Sequence, residues 1–255
     1  MGNRAHLLSQ CIDSVRSNDL AHICIVSPIV KDLEQFQVLC DSWLVDPSRG
    51  LAAAINAGIK SLPESVKYVN WLGDDDLVTA NGLMQLSLTL DAKENTDASL
   101  AYGHCRYIDL KGTTQFVVRP GRWAEILLRF GPQLISQPAI LFRRDAFQKV
   151  GGLDERLGWA FDLDLLIKLR RSGRFASVPQ VVASYRWHPD ALSVGGRQNS
   201  VREASKVRVS HLAPMARPLS AFWEPLVRML VRFSAQVVGR RVRRDYDIKS
   251  RIQHT

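Results

Sequence analysis

A chain of 255 residues with 46% hydrophobic content can build one large α/β domain, with or without an appendage, and is too apolar to be disordered. Its net charge of +9 lies at one end: residues 1–196 carry 21 Lys/Arg and 21 Asp/Glu, and residues 197–255 carry 13 and 4, so 13 − 4 = +9. A neutral body with a basic tail points to an anionic surface, lipid or nucleic acid, and excludes a protein that is basic throughout.

Cys11, Cys24, Cys40 and Cys105 show no C-x-x-C spacing, so neither a disulfide framework nor a zinc site is expected and a reducing compartment is the simpler assumption. Met1-Gly2-Asn3-Arg4-Ala5-His6 leads into an amphipathic segment, which is not the pattern of a signal peptide. Leu7, Leu8, Cys11, Ile12 and Val15 recur at helical spacing and predict a helix over 5–17. A short strand is expected in 21–26, ended by Ser27-Pro28, then a second helix around Leu33, Phe36, Val38 and Leu39 and a strand at Trp43-Leu44-Val45. Asp46-Pro47-Ser48-Arg49-Gly50 has strong turn chemistry. It feeds a helix over 51–60 with Leu51, Ile55 and Ile59 on one stripe. A strand over 67–72 and a helix near 80–91 follow.

The alternation of strand and helix predicts a mostly parallel, Rossmann-type sheet flanked by helices. The first element is a helix where such a domain usually opens with a strand. From residue 99 the pattern changes. A β-hairpin over 99–110 and 115–119, a helix near 122–129, a strand at 139–143, a short helix at 144–150, a turn at 151–155, a helix over 162–172 and a last strand at 181–187 complete the body.

Tyr68 to Leu72 runs into Gly73-Asp74-Asp75-Asp76, an apolar strand that delivers three consecutive carboxylates. In open α/β sheets ligands gather beyond the carboxyl ends of strands, and hard divalent cations take carboxylate oxygens with substrate phosphates completing the shell. The alternative is a solvated turn with Asp76 or Thr79 capping the next helix. In Phe161-Asp162-Leu163-Asp164, residues two apart on a helix point to nearly opposite sides, so Asp162 and Asp164 cannot share one task. Asp164 stands four before Lys168 and suits an ion pair. Asp162 is then either an N-cap or a carboxylate aimed into a cleft. His188, at the end of Tyr185-Arg186-Trp187-His188-Pro189, is a metal or phosphate ligand or an ordinary surface residue.

Taken in order, these stretches resemble the family 2 nucleotide-sugar glycosyltransferases of the GT-A fold. The residues that carry the likeness are Asn3 to Leu8 with Ser14-Val15, Asp46 to Leu51 with Ala54 to Ile59, Leu72 to Asp76, Gln137-Pro138-Ala139 with Phe142-Arg143-Arg144, Gly151 to Glu155, Phe161 to Leu165 and Tyr185 to Pro189. The match spans nearly all of 3–193 and begins just after the family's first strand. After the second strand the family's Asp-Gly-Ser type loop is replaced by Ser27-Pro28-Ile29-Val30.

The resemblance implies a divalent metal, Mg²⁺ or Mn²⁺, bridging a donor diphosphate at Asp74, Asp75 and Asp76, with Asp74 and Asp76 as ligands and His188 near metal or diphosphate. It implies that Asp162 is the base that deprotonates the acceptor hydroxyl. Arg49, Gly50 and Asn56, with Asp74 and Asp75, would line the nucleotide side. It implies a donor-side part over about 1–98, an acceptor-side part over about 99–196, and single displacement with inversion. The competing readings are a non-catalytic nucleotide-sugar-binding protein of the same fold and a nucleic-acid-binding protein, the latter opposed by the absence of reader motifs.

The tail, 197–255, reads as a basic amphipathic helical appendage. Apolar residues from Leu219 to Val238 alternate with Arg228 and Arg232 and lead into Arg240, Arg241, Arg243 and Arg244. Internal charges oppose a spanning helix. What remains is an interfacial helix on an anionic membrane, which suits a cytoplasmic enzyme held at the inner face and acting on a glycan or lipid-linked acceptor, or a helix packed on the domain.

Overall fold

The computed structural model describes residues 5–18, 21–28, 36–121, 123–187, 197–231 and 233. Helix α1 (Ala5–Arg16) buries Leu7, Cys11 and Ile12, the face its spacing predicts. Strands β1 (Cys24–Ser27) and β2 (Ser42–Val45) pair in parallel as a small sheet of their own. The expected helix around 33–39 falls partly outside the described residues, and 36–39 form a 3-10 turn. Helix α2 (Leu51–Ser61) starts after Gly50, whose φ of 102° is a conformation that side chains rarely adopt. Ile55 and Ile59 are buried as expected, but Leu51 is exposed, because the inward face is completed by Ala52, Ala53 and Gly58.

The main sheet gathers β3 (Tyr68–Val69), β4 (Leu77–Val78), β5 (Ala98–Ile108), β6 (Thr114–Val118), β7 (Ile140–Arg143) and β8 (Arg174–Arg186) in the order β3-β7-β5-β8-β4, with β6 beside β5. The α/β architecture is the expected one, but strand directions are mixed. Among the described residues β1–β2 and β5–β8 pair in parallel, whereas β3–β7, β4–β8, β5–β6 and β5–β7 are antiparallel. The hairpin accounts for one antiparallel pair, and the short β3 and β4 meet strands that run back past them.

β5 is buried along almost its whole length because both faces of the sheet are covered. On one face lie α4 (Ala124–Phe130), α5 (Arg144–Lys149) and α6 (Phe161–Ser172), contributing Leu128, Phe147 and Leu166 to a core with Leu100 and Phe142. On the other, α3 (Gly82–Asp91) contributes Leu86 and Leu90 to a core with Ala101 and Val182. Beyond β8, α7 (Arg197–Ser210) packs on α6, with Val207 in the first core. A further helix, α8, runs over 220–231.

Two strands differ in length from expectation. β3 stops after Val69 because side chains replace its ladder: Asn70 Oδ1 accepts the Trp71 N–H at 2.8 Å, and Gln137 Nε2 donates to the Trp71 carbonyl at 2.5 Å. β8 begins at Arg174, seven residues before the expected strand, because exposed Ser177, Pro179 and Gln180 interrupt its apolar pattern. The register with β5 shifts at the same place, where a proline is tolerated.

Candidate active site

Gly73-Asp74-Asp75-Asp76 lies beyond β3, in the connection that runs directly into β4. A side chain on Gly73 would put its Cβ 3.0 Å from Asp75 Oδ1 and 3.2 Å from Asp76 Oδ2, so two carboxylate oxygens converge over the bare glycine. Asp75 and Asp76 are buried and Asp74 is half-buried. The solvated turn is therefore not what forms. Nor does either expected cap form: Asn81 stands at the start of α3 with no side-chain capping bond, and Thr79 Oγ1 donates to the Val181 carbonyl.

Burial so much repulsion requires a clamp, and Arg186 at the end of β8 supplies it. Its guanidinium is only 2% exposed and donates from Nε to the Asp75 carbonyl at 2.9 Å and from one terminal nitrogen to the carbonyls of Asp109 and Leu110, both at 3.0 Å. The other terminal nitrogen donates to Gln10 Oε1 at 3.1 Å, and the Arg186 backbone N–H donates to Asp76 Oδ1 at 2.9 Å. From the other side α1 holds the same turn, with Cys11 Sγ donating to the Gly73 carbonyl at 3.5 Å and Ser14 Oγ accepting the Val78 N–H at 3.1 Å.

Even so clamped, the Asp76 carboxyl is pushed up to about 7, by burial first, with the Asp75 charge adding and the Arg186 contacts opposing. The Cys11 thiol rises well above its usual range through burial and then the charges of Asp76, Asp74 and Asp75. A buried carboxyl whose ionised form is under-stabilised, with two hard oxygens converging beside a glycine, fits a divalent cation. Among the described residues no group of three or more His, Cys, Asp or Glu side chains is arranged to hold a metal by itself. His188 lies outside the described residues.

The second station is the start of α6. Asp162 is half-buried and does not cap the helix: Ala160 holds that position. Asp162 Oδ2 accepts from Gln133 Nε2 at 2.9 Å and Oδ1 accepts the Leu163 N–H at 2.8 Å. Burial raises its pKa, against these bonds, and the nearby Glu203 charge adds to the rise. Raising a carboxylate above its ordinary value improves it as a proton acceptor near neutral pH.

The two stations are joined through aromatic rings. Trp71, three residues before Asp74, packs against Phe161, next to Asp162, with ring centroids 6.4 Å apart, and edge-on to Phe142 at 5.9 Å. Three residues of chain span at most about 11 Å, so the acidic turn lies close to the start of α6.

Asp164 goes its own way, as its spacing predicts. Lys168 Nζ lies 2.6 Å from Oδ2, and His211 Nε2 lies 2.7 Å from Oδ1. The glycine-rich turn meets α2: Asn56 Nδ2 donates to the Leu153 carbonyl at 3.0 Å and to Glu155 Oε1 at 3.1 Å, while its Oδ1 accepts the Leu153 N–H at 3.0 Å. Asn56 therefore holds this turn, its amide being engaged at both ends. Arg49 is exposed and approaches Glu155 Oε2 at 3.6 Å, and Gly50 is exposed beside it.

Sequence reasoning missed Glu203 on α7. Its carboxylate accepts three successive backbone N–H groups, from Gly158 at 3.1 Å, Trp159 at 2.6 Å and Ala160 at 2.7 Å, on the segment that leads into Asp162. Nothing local announces this, because the partners are more than forty residues apart. Gln133 and Arg186 were equally hidden as holders of the two stations. For Arg186 the signal was an arginine in an otherwise apolar strand end, a position that a long charged side chain occupies only when paired.

The mixed α/β fold is that of GT-A glycosyltransferases. No protein-family model matches the chain. It is 26% identical over 198 residues to an uncharacterised glycosyltransferase of Rickettsia prowazekii, a match covering 73% of this chain and 61% of that one, so the chain spans about three-fifths of that relative's length. Among solved structures it is similar to the mannosyltransferase PcManGT from Pyrobaculum calidifontis in complex with GDP-Man and Mn²⁺, with a TM-score of 0.62 at 15% identity over 93% of this chain and 71% of that one. Residues 1–349 of S. aureus TarS give a TM-score of 0.58 at 13% identity, covering 89% and 69% of the two chains.

Proposed function

We propose that this chain is a metal-dependent, inverting glycosyltransferase that moves a sugar from a nucleotide-diphosphate donor to an acceptor hydroxyl, in the assembly of a surface polysaccharide or glycolipid. The observation that carries the reading is the pair of separately built carboxylate stations joined through Trp71 and Phe161. A single displacement needs these two devices, one where the diphosphate leaves and one where the hydroxyl loses its proton.

Asp76 and Asp75, whose oxygens lie together over Gly73, with Asp74 beside them, would hold a Mg²⁺ or Mn²⁺ ion, whose chemistry is to neutralise charge on the departing phosphate oxygens. Arg186 keeps the acidic turn in place, and Cys11 stays protonated beside it. On the opposite side, Asp162 accepts the proton of the acceptor hydroxyl while Gln133 orients its carboxylate. Donor binding falls to about 1–98 and acceptor binding to about 99–196, with Arg49 and Gly50 on the nucleotide side and Asn56 supporting them through the 151–155 turn. The acceptor is a glycan or a lipid-linked glycan, no nucleic acid takes part, and the enzyme works at the cytoplasmic face of a membrane.

The test is nucleotide binding. Thermal shift with UDP and GDP, each with and without Mn²⁺, should show metal-dependent stabilisation by one nucleoside diphosphate, and Asp76→Asn should abolish it. Unchanged metal-dependent binding in that variant rejects the assignment of the acidic turn.

A further inference from the structure

Helix α8 is amphipathic the wrong way round for a helix that only packs on its own domain. Its inward face carries Ser220, Glu224 and Val227, all buried, with Glu224 4% exposed and bidentate to Arg208 of α7 at 2.6 and 2.9 Å. Its outward face carries the large apolar side chains: Phe222 is 84% exposed, and Leu226, Met229, Leu230 and Phe233 are exposed with it. These recur every three or four residues and so form a single stripe. A helix stabilised by domain packing alone would bury that stripe and leave the ion pair in water.

The stripe continues onto a second element. Trp123, at the cap of α4, and Ile126 and Phe130 on it are all exposed and follow the same spacing. The Phe130 and Trp223 rings meet edge-on at 5.8 Å, which brings the end of α4 against the first turn of α8. Isolated exposed apolar residues are ordinary, but a contiguous face of this kind marks an interaction site.

Charge decides the partner. Beside the stripe on α4 stands half-buried Arg129, near Arg171 and near Arg170, the latter paired with Glu125 at 2.5 Å. Arg228 is half-buried on the flank of α8, and Arg217 is exposed just before the helix. Residues 197–255 carry 13 basic and 4 acidic side chains. A second copy of this chain meeting the same face about a two-fold axis would bring Arg129, Arg217 and Arg228 of the two copies into one interface. An anionic bilayer instead receives aromatic and aliphatic side chains at its acyl boundary and arginines at its headgroups. No helix among the described residues is long and apolar enough to cross a membrane, so the contact is interfacial.

We propose that the outward faces of α4 and α8 together form a docking surface for an anionic lipid bilayer. Gln133, the partner of Asp162, follows Phe130 by three residues. Docking through α4 therefore presents the acceptor side of the site to the membrane. This last consequence rests on the transferase reading, and the docking itself does not.

The experiment is flotation of the full chain with vesicles of phosphatidylcholine alone and of phosphatidylcholine with phosphatidylglycerol. The wild type should float with the anionic vesicles and not with the neutral ones, and added salt should weaken binding. Trp123→Ser with Ile126→Ser, and separately Phe222→Ser with Leu226→Ser, should each weaken binding about tenfold or more. Circular dichroism and thermal midpoints should be unchanged, since all four side chains are exposed. Failure of the wild type to float, or flotation that ignores the α4 pair, overturns the proposal. So does sedimentation showing a dimer that these substitutions dissociate. A chain that floats as described but neither binds nucleotide nor transfers sugar keeps the docking surface and removes the transferase reading.

Discussion

Asp162 and Asp164 stand two residues apart on one helix and titrate in opposite directions. Burial raises Asp162, whose neighbours are the neutral donors Gln133 and the Leu163 N–H, together with the unfavourable charge of Glu203. Burial acts on Asp164 in the same sense, but His211 and Lys168 outweigh it and the net shift is downward. What separates them is whether a cation was built beside them. A carboxylate paired with a lysine is spent on structure, whereas one held by neutral donors keeps its affinity for a proton and can do chemistry.

The largest effect that would sharpen the contrast is on turnover. Asp162→Asn should lower transfer by about 10²–10⁴-fold, the usual cost of removing a positioned base, with metal-dependent donor binding kept. Asp164→Asn should leave transfer within a few-fold of wild type. Steady-state assays of the two variants side by side decide the matter, and the reverse ranking would break the comparison.

Glu203 comes next because it holds the segment before Asp162 and charges its surroundings. Glu203→Ala removes an acceptor of three N–H groups and should cost about 2–3 kcal/mol of stability, with kcat falling about tenfold or more and donor KM unmoved. Glu203→Gln should rescue most of the stability. It should also move the acid limb of the kcat/KM profile to lower pH, because the charge that helps raise Asp162 is gone. A limb that stays in place would reduce Glu203 to a structural support.

The smallest effect is on stability against pH. Asp164 has a lowered pKa in the fold, so its contribution is present above the unfolded value of about 3.9 and is lost as pH falls through the folded value. Asp162 has a raised pKa, so its ionisation penalises the fold once pH climbs from about 3.9 through the folded value. Denaturant titrations should show Asp164→Asn less stable than wild type by about 1 kcal/mol at pH 7, with the gap closing toward pH 3. The midpoint of Asp162→Asn at pH 7 should not fall below that of wild type. Equal pH dependence in both variants would show that the two carboxylates are alike after all.

Much of this molecule is legible in its residues. Local spacing places α1, α2, α3, the β5–β6 hairpin, α4 and α6, and the two-residue offset on α6 predicts that Asp162 and Asp164 part company, as the Lys168 pair shows. Spacing serves because helical and strand periods are set within a few residues. Strand direction was read less well, since a run such as Tyr68 to Leu72 looks the same whichever way its neighbour runs, and β3 meets β7 antiparallel. The tail shows both limits. Its amphipathic stripe is written in the sequence, but which side faces the domain is not.

By itself the sequence determined most of the helices and the longer strands, an acidic turn after a strand and a carboxylate at a helix start, because these depend on near neighbours and on residue type; the short β4 that follows the turn was not foreseen. Only the tertiary structure decided what each charge would meet: Arg186 on the strand next to the turn of Asp75 and Asp76, Glu203 on the backbone of Gly158 to Ala160, and Arg208 opposite Glu224. Those pairings join residues 16 to 111 positions apart. Electrostatic energy depends on distance through space and on the water excluded along the way, and neither is a property of position along the chain.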